Sequence, residues 1–314
     1  MDASGTIVIA GEALIDLVGR DGGDLRPHAG GGPFNAARAA ARLGTPVTYL
    51  GRLSSDRFGE ALRAALAADG VGLGAVVATA EPTTLALAEV TADGSATYRF
   101  YVDGTSAPGL TEDDVAGVLP SAPSMLCVGT LGLVFEPSAQ TLERLVAAAG
   151  DGVLVAVDPN IRPAAIADEA AYRARLERIL ARADLVKASE DDLAWLHPGA
   201  GPAEAMRRIL AVADGDGGGG ARAGVVTLGP DGALVVPLSG EAVAVSAPPV
   251  QVVDTIGAGD AFLGGLLSWW HRAGLGRSDL ADTAQVIDAA RFACHVAAVT
   301  CGRAGADPPH LSDL

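Results

Sequence analysis

The sequence has one lysine, Lys187, among its 22 basic residues. A GK[ST] phosphate loop and the VAIK lysine of a protein kinase both need lysine in a fixed context, and neither context occurs. Cysteine is nearly as scarce. Cys127, Cys294 and Cys301 are odd in number and lack CxxC spacing, and none of the five histidines completes a zinc-ligand pattern with them. They read as reduced, small core residues, and a disulfide framework is excluded. Positive charge is short overall: the net charge is −16 and the sequence pI is about 4.6. Phosphate backbones need clustered cations, so a nucleic-acid partner is not expected. A run of about 18 apolar residues is missing, and the start MDASGTIVIAGEALIDLV has no basic n-region or small-residue cleavage site. No membrane partner is expected, and the cytoplasm is the default location.

What the chain does have is length and rhythm. Its 314 residues, 49% hydrophobic with 41 Gly and 18 Pro, suffice for one large domain or two smaller ones. Short β-branched runs alternate with Ala/Leu/Arg-rich helical stretches: 6–10 then 34–43, 47–53 then 56–68, 125–128 then 138–149, and 153–157 then 169–182. The pattern continues with 185–187 before 190–196, and 203–213 before 224–228. This alternation predicts an α/β protein with a mostly parallel sheet covered by helices on both faces. Two stretches break the rhythm, 13–27 and 84–102. The second reads as a hairpin around Asp93-Gly94, with Tyr98 and Phe100 on one face and Arg99 and Tyr101 on the other. Together they predict a small β lid. The glycine run 215–220 reads as a flexible helix-to-strand connection.

The stretch VVDTIGAGDAFLGGLL, 252–267, carries the most chemistry. An extended run ends at Ile256, Gly257-Ala258-Gly259 turn tightly, and a helix begins that places Asp260 in its first turn. Unpaired N–H groups and the positive dipole end make such a turn an anion site. A carboxylate beside that site suits phosphoryl transfer, accepting the proton of an attacking hydroxyl while the amides stabilise phosphoryl oxygens. Asp is also favoured at helix starts simply as a cap.

A second glycine turn, AGGGPFNAARAAARLG, places Gly31 and Gly32 ahead of a helix with Asn35 in its first turn. Its amides suit a hydroxyl-rich ligand, and Asn35 equally suits a cap. Asp16 in GEALID could accept two hydroxyl protons from a polyol, or be a solvated loop charge. VDPNIRP puts Asp158, Asn160 and Arg162 at a strand's C-terminal end, where open α/β sheets bind ligands. Arg162 suits phosphate or carboxylate, and the flanking prolines suit a structural turn. In KASEDD, Lys187 suits phosphates and Glu190 a metal-bound water, while Ser189 suits an N-cap. VTLGPDGA offers Thr227, Gly229 and Gly232 as backbone walls for a nucleotide.

The order GEALID, GGGPFN, DPNIRP, KASE, VTLGPDG, DTIGAGDAF resembles the ribokinase-like, or PfkB, carbohydrate kinases over nearly the whole chain, and within them bacterial fructokinases. The resemblance implies a single ribokinase-like domain over 1–314, a three-layer α/β/α core with a lid formed by about 13–28 and 84–103. It implies an ATP- and Mg²⁺-dependent kinase acting on a primary hydroxyl, O6 of D-fructose first. Asp260 is then the base, with Gly257, Ala258 and Gly259 as the anion hole. Asp16, Gly31, Gly32 and Asn35 hold sugar hydroxyls, Tyr98 or Phe100 covers the ring, and Arg162 meets substrate or phosphate. Lys187, Thr227, Gly229 and Gly232 border ATP, and Glu190 organises the water shell of Mg²⁺. A K⁺ site near Asp254, Ile256 and the loop from Ala298 to Gly305 is also implied, as is a homodimer through the lid.

The chain departs from the family where many relatives carry Asn and it has Lys187, and where Cys294 or His295 replaces an Asn near the nucleotide. Rival readings within the fold are 2-keto-3-deoxygluconate, ribose and nucleoside kinases. A nicotinamide oxidoreductase is disfavoured because GEALID replaces GxGxxG. A non-catalytic sugar-sensing protein is the remaining alternative.

Overall fold

In the computed structural model, which describes residues 5–19, 24–90, 96–116, 119, 123–212 and 222–314, the predicted alternation forms two sheets. The chain runs β1 (Ile7–Ala10), β2 (Leu14–Gly19), β3 (Leu25–Gly30), α1 (Gly32–Arg42), β4 (Val47–Ser54), α2 (Arg57–Ala68), β5 (Val76–Thr79), β6 (Leu85–Val90), β7 (Ala96–Tyr101) and α3 (Glu112–Ala116). It continues β8 (Met125–Gly129), α4 (Ser138–Ala147), β9 (Leu154–Asp158), α5 (Glu169–Arg182), β10 (Leu185–Ser189), α6 (Glu190–Leu196), α7 (Pro202–Ala211), β11 (Ala223–Thr227), β12 (Ala233–Pro237), β13 (Val243–Val245), α8 (Ala258–Arg272) and α9 (Thr283–Cys301).

The large sheet has the order β13-β12-β11-β10-β9-β8-β1-β4-β5. It is parallel from β11 to β5, with β12 and β13 added antiparallel at one edge. Alternate residues of each strand enter opposite cores. Ile7 and Ile9 pack with Phe34, Phe262 and Trp270 on one face, whereas Val8 and Ala10 pack with Leu142, Leu176 and Ile209 on the other. Helices therefore cover both faces, giving the three layers expected of buried parallel strands. Local chemistry starts the helices: Asp56 accepts from the Gly59 amide at 2.8 Å, and Asp168 from that of Ala171 at 3.0 Å. Ser189 and Asp192 form a reciprocal capping box at α6.

β1 and β8 are neighbours whose onward connections run to opposite sides, to β4 and to β9, so the order reverses between their C-terminal ends. This switch point is where doubly wound sheets bind ligands. Over it, β3-β2-β6-β7 form a second, four-stranded sheet, matching the predicted lid. Paired residues share a face, so Leu14, Asp16, Ala86, Ala88, Tyr98 and Phe100 lie on one side. Leu17, Leu87, Arg99 and Tyr101 lie on the other. Leu14, Ala86 and Phe100 pack against Leu131 and Phe135 of the main body, which makes theirs the inner face. The expected Asp93-Gly94 turn and the glycine run 215–220 lie outside the described residues.

One expectation is corrected. The run ending at Ile256 is irregular, not a strand. The backbone amides of Val253 and Asp254 both turn to the Cys301 carbonyl, at 2.8 and 3.2 Å, at the end of α9.

Candidate active site

The site is built where two helices begin side by side. Gly257 takes a left-handed conformation, φ +74°, and a Cβ there would stand 2.6 Å from that of Ala306. This position demands glycine twice over. α8 starts at Ala258, so Asp260 occupies its first turn, as expected. Its carboxylate makes no capping bond. It reaches sideways instead, accepting from Asn35 Nδ2 at 2.9 Å. Asn35 likewise does not cap α1. The two polar residues that resembled caps thus join the two glycine turns to each other.

The α1 turn is crowded from three directions. A Cβ on Gly31, φ +108°, would meet the Glu12 carbonyl at 2.6 Å. On Gly32 it would meet Thr130 Oγ1 at 2.4 Å, and on Gly30 a carboxylate oxygen of Asp16. The close approach to Thr130 and Asp16 is what the glycine run makes possible. Glu12, which no motif in the sequence marks, holds the turn through both carboxylate oxygens. Its two oxygens accept from Gly32 N at 3.0 Å and Gly132 N at 2.9 Å. Burial pushes its pKa up to about 8, against the opposing effect of these amides.

Asp16 lies within β2 and on the lid's inner face, not in a solvated loop. Burial, followed by repulsion from Asp260, raises its pKa to about 6, while Arg162 opposes the shift. Asp260 keeps some solvent exposure, yet burial raises its pKa, and the Asn35 hydrogen bond, Lys187 and Arg162 pull it back. Arg162 donates to the Asn160 and Ile161 carbonyls at 3.1 and 3.2 Å, which fixes its loop. Tyr98 and Phe100 stack with ring centroids 6.2 Å apart on the inner face.

Beneath the turns lies a buried ion pair, Lys187 Nζ to Asp158 Oδ2 at 2.8 Å, with both side chains 4% exposed. Lys187 Nζ stands 3.4 Å from where a Gly259 Cβ would be, so its charge sits directly behind the Gly257–Gly259 turn. Thr130 and Asn160 are non-glycine residues at positive φ, +53° and +39°, and Asn160 Nδ2 lies 3.3 Å from Thr130 Oγ1. Such conformations cluster at functional sites. Asn35 Oδ1 and Asp158 Oδ1 are buried without a hydrogen-bond partner among the described residues, leaving acceptors that a ligand's hydroxyls or water can satisfy.

On the far side of the Gly259 turn runs a cleft of about 940 Å³. Glu190, Thr227, Gly229 and Gly232 line it, as do Ala258 and Gly259. Gly232 has φ +97° and leaves a Cβ no room, 2.1 Å from the Val245 carbonyl. Of the two residues at the variable helix position, Cys294 lines the cleft. Below it, the Asp254 carboxylate ties two loops together, accepting from Ile256 N at 3.0 Å and Gly305 N at 2.9 Å. Ala298 lies on the same cleft wall.

A carboxylate in the first turn of a helix whose start borders an elongated cleft, hydrogen-bonded to a second glycine turn beneath the small sheet, is the arrangement of a sugar phosphotransferase. The chain matches the pfkB family carbohydrate kinase domain over residues 5–313, and it belongs to that family. It is 35% identical over 267 residues to a fructokinase of Rhizobium leguminosarum bv. trifolii, covering 83% of this chain and 78% of the relative. Among solved structures it resembles a Xylella fastidiosa fructokinase with bound ATP: TM-score 0.87, 27% identity, 98% of this chain and 96% of the other. It also resembles a Vibrio cholerae O395 fructokinase bound to fructose, ADP and a calcium ion: TM-score 0.83, 27% identity, 97% and 95% covered.

Proposed function

We propose that this protein transfers the γ-phosphate of ATP to O6 of D-fructose, with Asp260 as general base. The observation that carries the reading is the 2.9 Å hydrogen bond from Asn35 to Asp260, which supports a base shared between the α1 turn and the cleft beside Gly259. Asp16, Asn35 and the Gly31-Gly32 backbone hold the sugar's hydroxyls, Tyr98 and Phe100 cover its ring, and Arg162 steadies the transferring group. Asp260 takes the O6 proton, O6 attacks the γ-phosphorus in line, and the bond to the ADP oxygen breaks.

Gly257, Ala258, Gly259 and the Asp260 amide receive the phosphoryl oxygens. In the structure the Ala258 amide donates to the Thr255 carbonyl at 3.2 Å, and it turns to the phosphate on binding. Thr227, Gly229 and Gly232 border ATP, with the Lys187 charge behind its terminal phosphate. Glu190, a carboxylate on the cleft wall, fits a Mg²⁺ held through water; that ion neutralises phosphate charge when bound. The Asp254 carboxylate with Ile256, Ala298 and Gly305 fits a K⁺ site. Lid closure excludes water that would otherwise consume ATP.

The same reading makes the chain one kinase domain over 1–314, with residues 13–28 and 84–103 as its lid, working in the cytoplasm. No helix among the described residues is long and apolar enough to cross a membrane. A homodimer through the lid is favoured by the outer face, which carries Leu87 and Tyr101, the latter 49% exposed.

The test is ATP consumption against fructose, ribose, 2-keto-3-deoxygluconate and adenosine, with a no-sugar control. A kcat/KM for fructose at least about tenfold above the others supports the reading, because one matched hydroxyl or ring contact is worth that much. Preference for another sugar moves the substrate, and no turnover favours a sugar-sensing role.

A further inference from the structure

The C-terminal edge of the large sheet parts along one line. β8 and β9 stay paired to their ends, Gly129 opposite Asp158, and so do β10 and β11, Ser189 opposite Thr227. Between β9 and β10 the ladder stops earlier, at Val157 opposite Val186, and among the described residues no strand pairing joins them beyond that point. The residues that follow sort by side. After β8 and β9 come Thr130 and Asn160, whose Oγ1 and Nδ2 lie 2.4 and 3.3 Å from where a Gly32 Cβ would be. At the ends of β10 and β11 are Glu190 and Thr227, which line the elongated cleft. Side chains must hold these two groups of loops together.

One link is the Lys187–Asp158 ion pair. Another is Asp192, 3% exposed in the first turn of α6. Its Oδ2 accepts from Ser189 N and Ser189 Oγ, both at 2.7 Å, which completes the capping box. A cap needs only that oxygen. Oδ1 leaves the helix and accepts from Ile161 N at 2.6 Å, between Asn160, at φ +39°, and Arg162. One buried carboxylate is thus shared by the loop after β9 and the start of the helix that bears Glu190.

We propose that Asp192 is a positioning residue that sets the separation of the sugar half and the nucleotide half of the site. The proposal rests on the phosphotransfer reading above. Asp192 is buried and lines no part of the cleft, so each half keeps its own ligand contacts when the link is cut. What changes is their spacing, and a displacement of about 1 Å is enough to slow a transfer step by about a hundredfold. A sugar hydroxyl held too far from the γ-phosphorus also admits water as the competing acceptor. The water oxygen then bonds to the γ-phosphorus as the bond to ADP breaks, its proton passes to Asp260, and inorganic phosphate leaves in place of sugar phosphate.

Asp192→Asn has the same shape and cuts the link selectively. With its carbonyl oxygen kept on the two Ser189 donors, its NH2 meets Ile161 N, donor against donor. The full chain with Mg²⁺, ATP and each of fructose, ribose and 2-keto-3-deoxygluconate is assayed for ADP and for sugar phosphate, with the folded fraction taken from urea unfolding. Per folded molecule, the variant is expected to form sugar phosphate with kcat at least about tenfold lower and with both KM values within about twofold of the wild type. It should release more ADP than sugar phosphate, where the wild type forms them in equal amounts. Asp192→Ala, which removes the bonds without adding a donor, is expected to show the same split and decides the outcome if the asparagine does not fold. A loss that vanishes after correction for folded protein, a rise in either KM at unchanged kcat, or equal amounts of the two products in the variants overturns the proposal. Transfer to none of the sugars by the wild type removes the kinase reading and the role of Asp192 together, whereas transfer by the wild type with unaffected variants removes only the latter.

Discussion

At the scale of single residues, the site is a set of buried charges whose balance decides how it titrates. Asp260 must be deprotonated to act as a base, and burial raises its pKa from the ordinary carboxylate value. Turnover therefore falls on the acid side, as pH drops through that raised value. Lys187 holds the value down, so Lys187→Met is expected to move the acid limb of kcat to higher pH. The same change strands the Asp158 carboxylate, whose pKa burial already lifts to about 6. Breaking a buried pair costs about 3–5 kcal/mol. A native-state pKa raised above the unfolded value means that the native state binds more protons, so stability falls as pH rises through that window. Urea unfolding should accordingly show Lys187→Met less stable by about 3 kcal/mol at pH 8 and by less at pH 5, where Asp158 accepts a proton. An unmoved acid limb together with an equal loss at both pH values would reject the electrostatic role.

At the scale of elements, the site depends on how closely α1 and α8 approach. A Cβ on Gly264 of α8 would lie 2.6 Å from that of Ala39 and 2.7 Å from the Ala36 carbonyl of α1. Gly265 fits in the same way against Val296 of α9. Gly264→Val overpacks this seam, for an expected loss of about 1–3 kcal/mol. It also drives Asn35 away from Asp260, so kcat should drop well beyond what the loss of folded protein explains. Chemical denaturation and kinetics on the folded fraction check both. Both helix starts were legible in the sequence, because glycine followed by a small polar residue and an apolar period marks such a turn. What Asn35 and Asp260 do there was not legible: a capping residue and a partner 225 positions away share the same local pattern. Glu12 and Thr130 were missed for a related reason. Their roles come from contacts with the Gly31-Gly32 turn, and no neighbouring residue in the chain signals them.

At the scale of the molecule, the alternating pattern fixed the parallel three-layer class, while the strand order came only with the structure, since periodicity records which face is buried and not which strand lies adjacent. The lid shows the same division. Its two segments stood out as breaks in the rhythm, but Leu85 and Leu87 look alike in sequence to Tyr98 and Phe100, and only the strand register puts them on opposite faces. On the proposed reading the inner face meets the sugar, and Leu87 and the exposed Tyr101 of the outer face meet a second copy. Sedimentation at micromolar concentration is expected to give a dimer, and Leu87→Arg, which places a charge on the outer face alone, a monomer. A monomeric wild type would remove the lid interface from the account.

The central claim is that Asp260, held by Asn35 between two glycine turns, is the base for phosphoryl transfer to a sugar. The measurement that tests it most directly is fructose phosphate formation by Asp260→Asn beside the wild type, with fructose affinity and thermal unfolding measured on the same samples. The account predicts unchanged unfolding, retained sugar binding and turnover lower by at least about a hundredfold. Undiminished turnover in a folded, sugar-binding variant would contradict it.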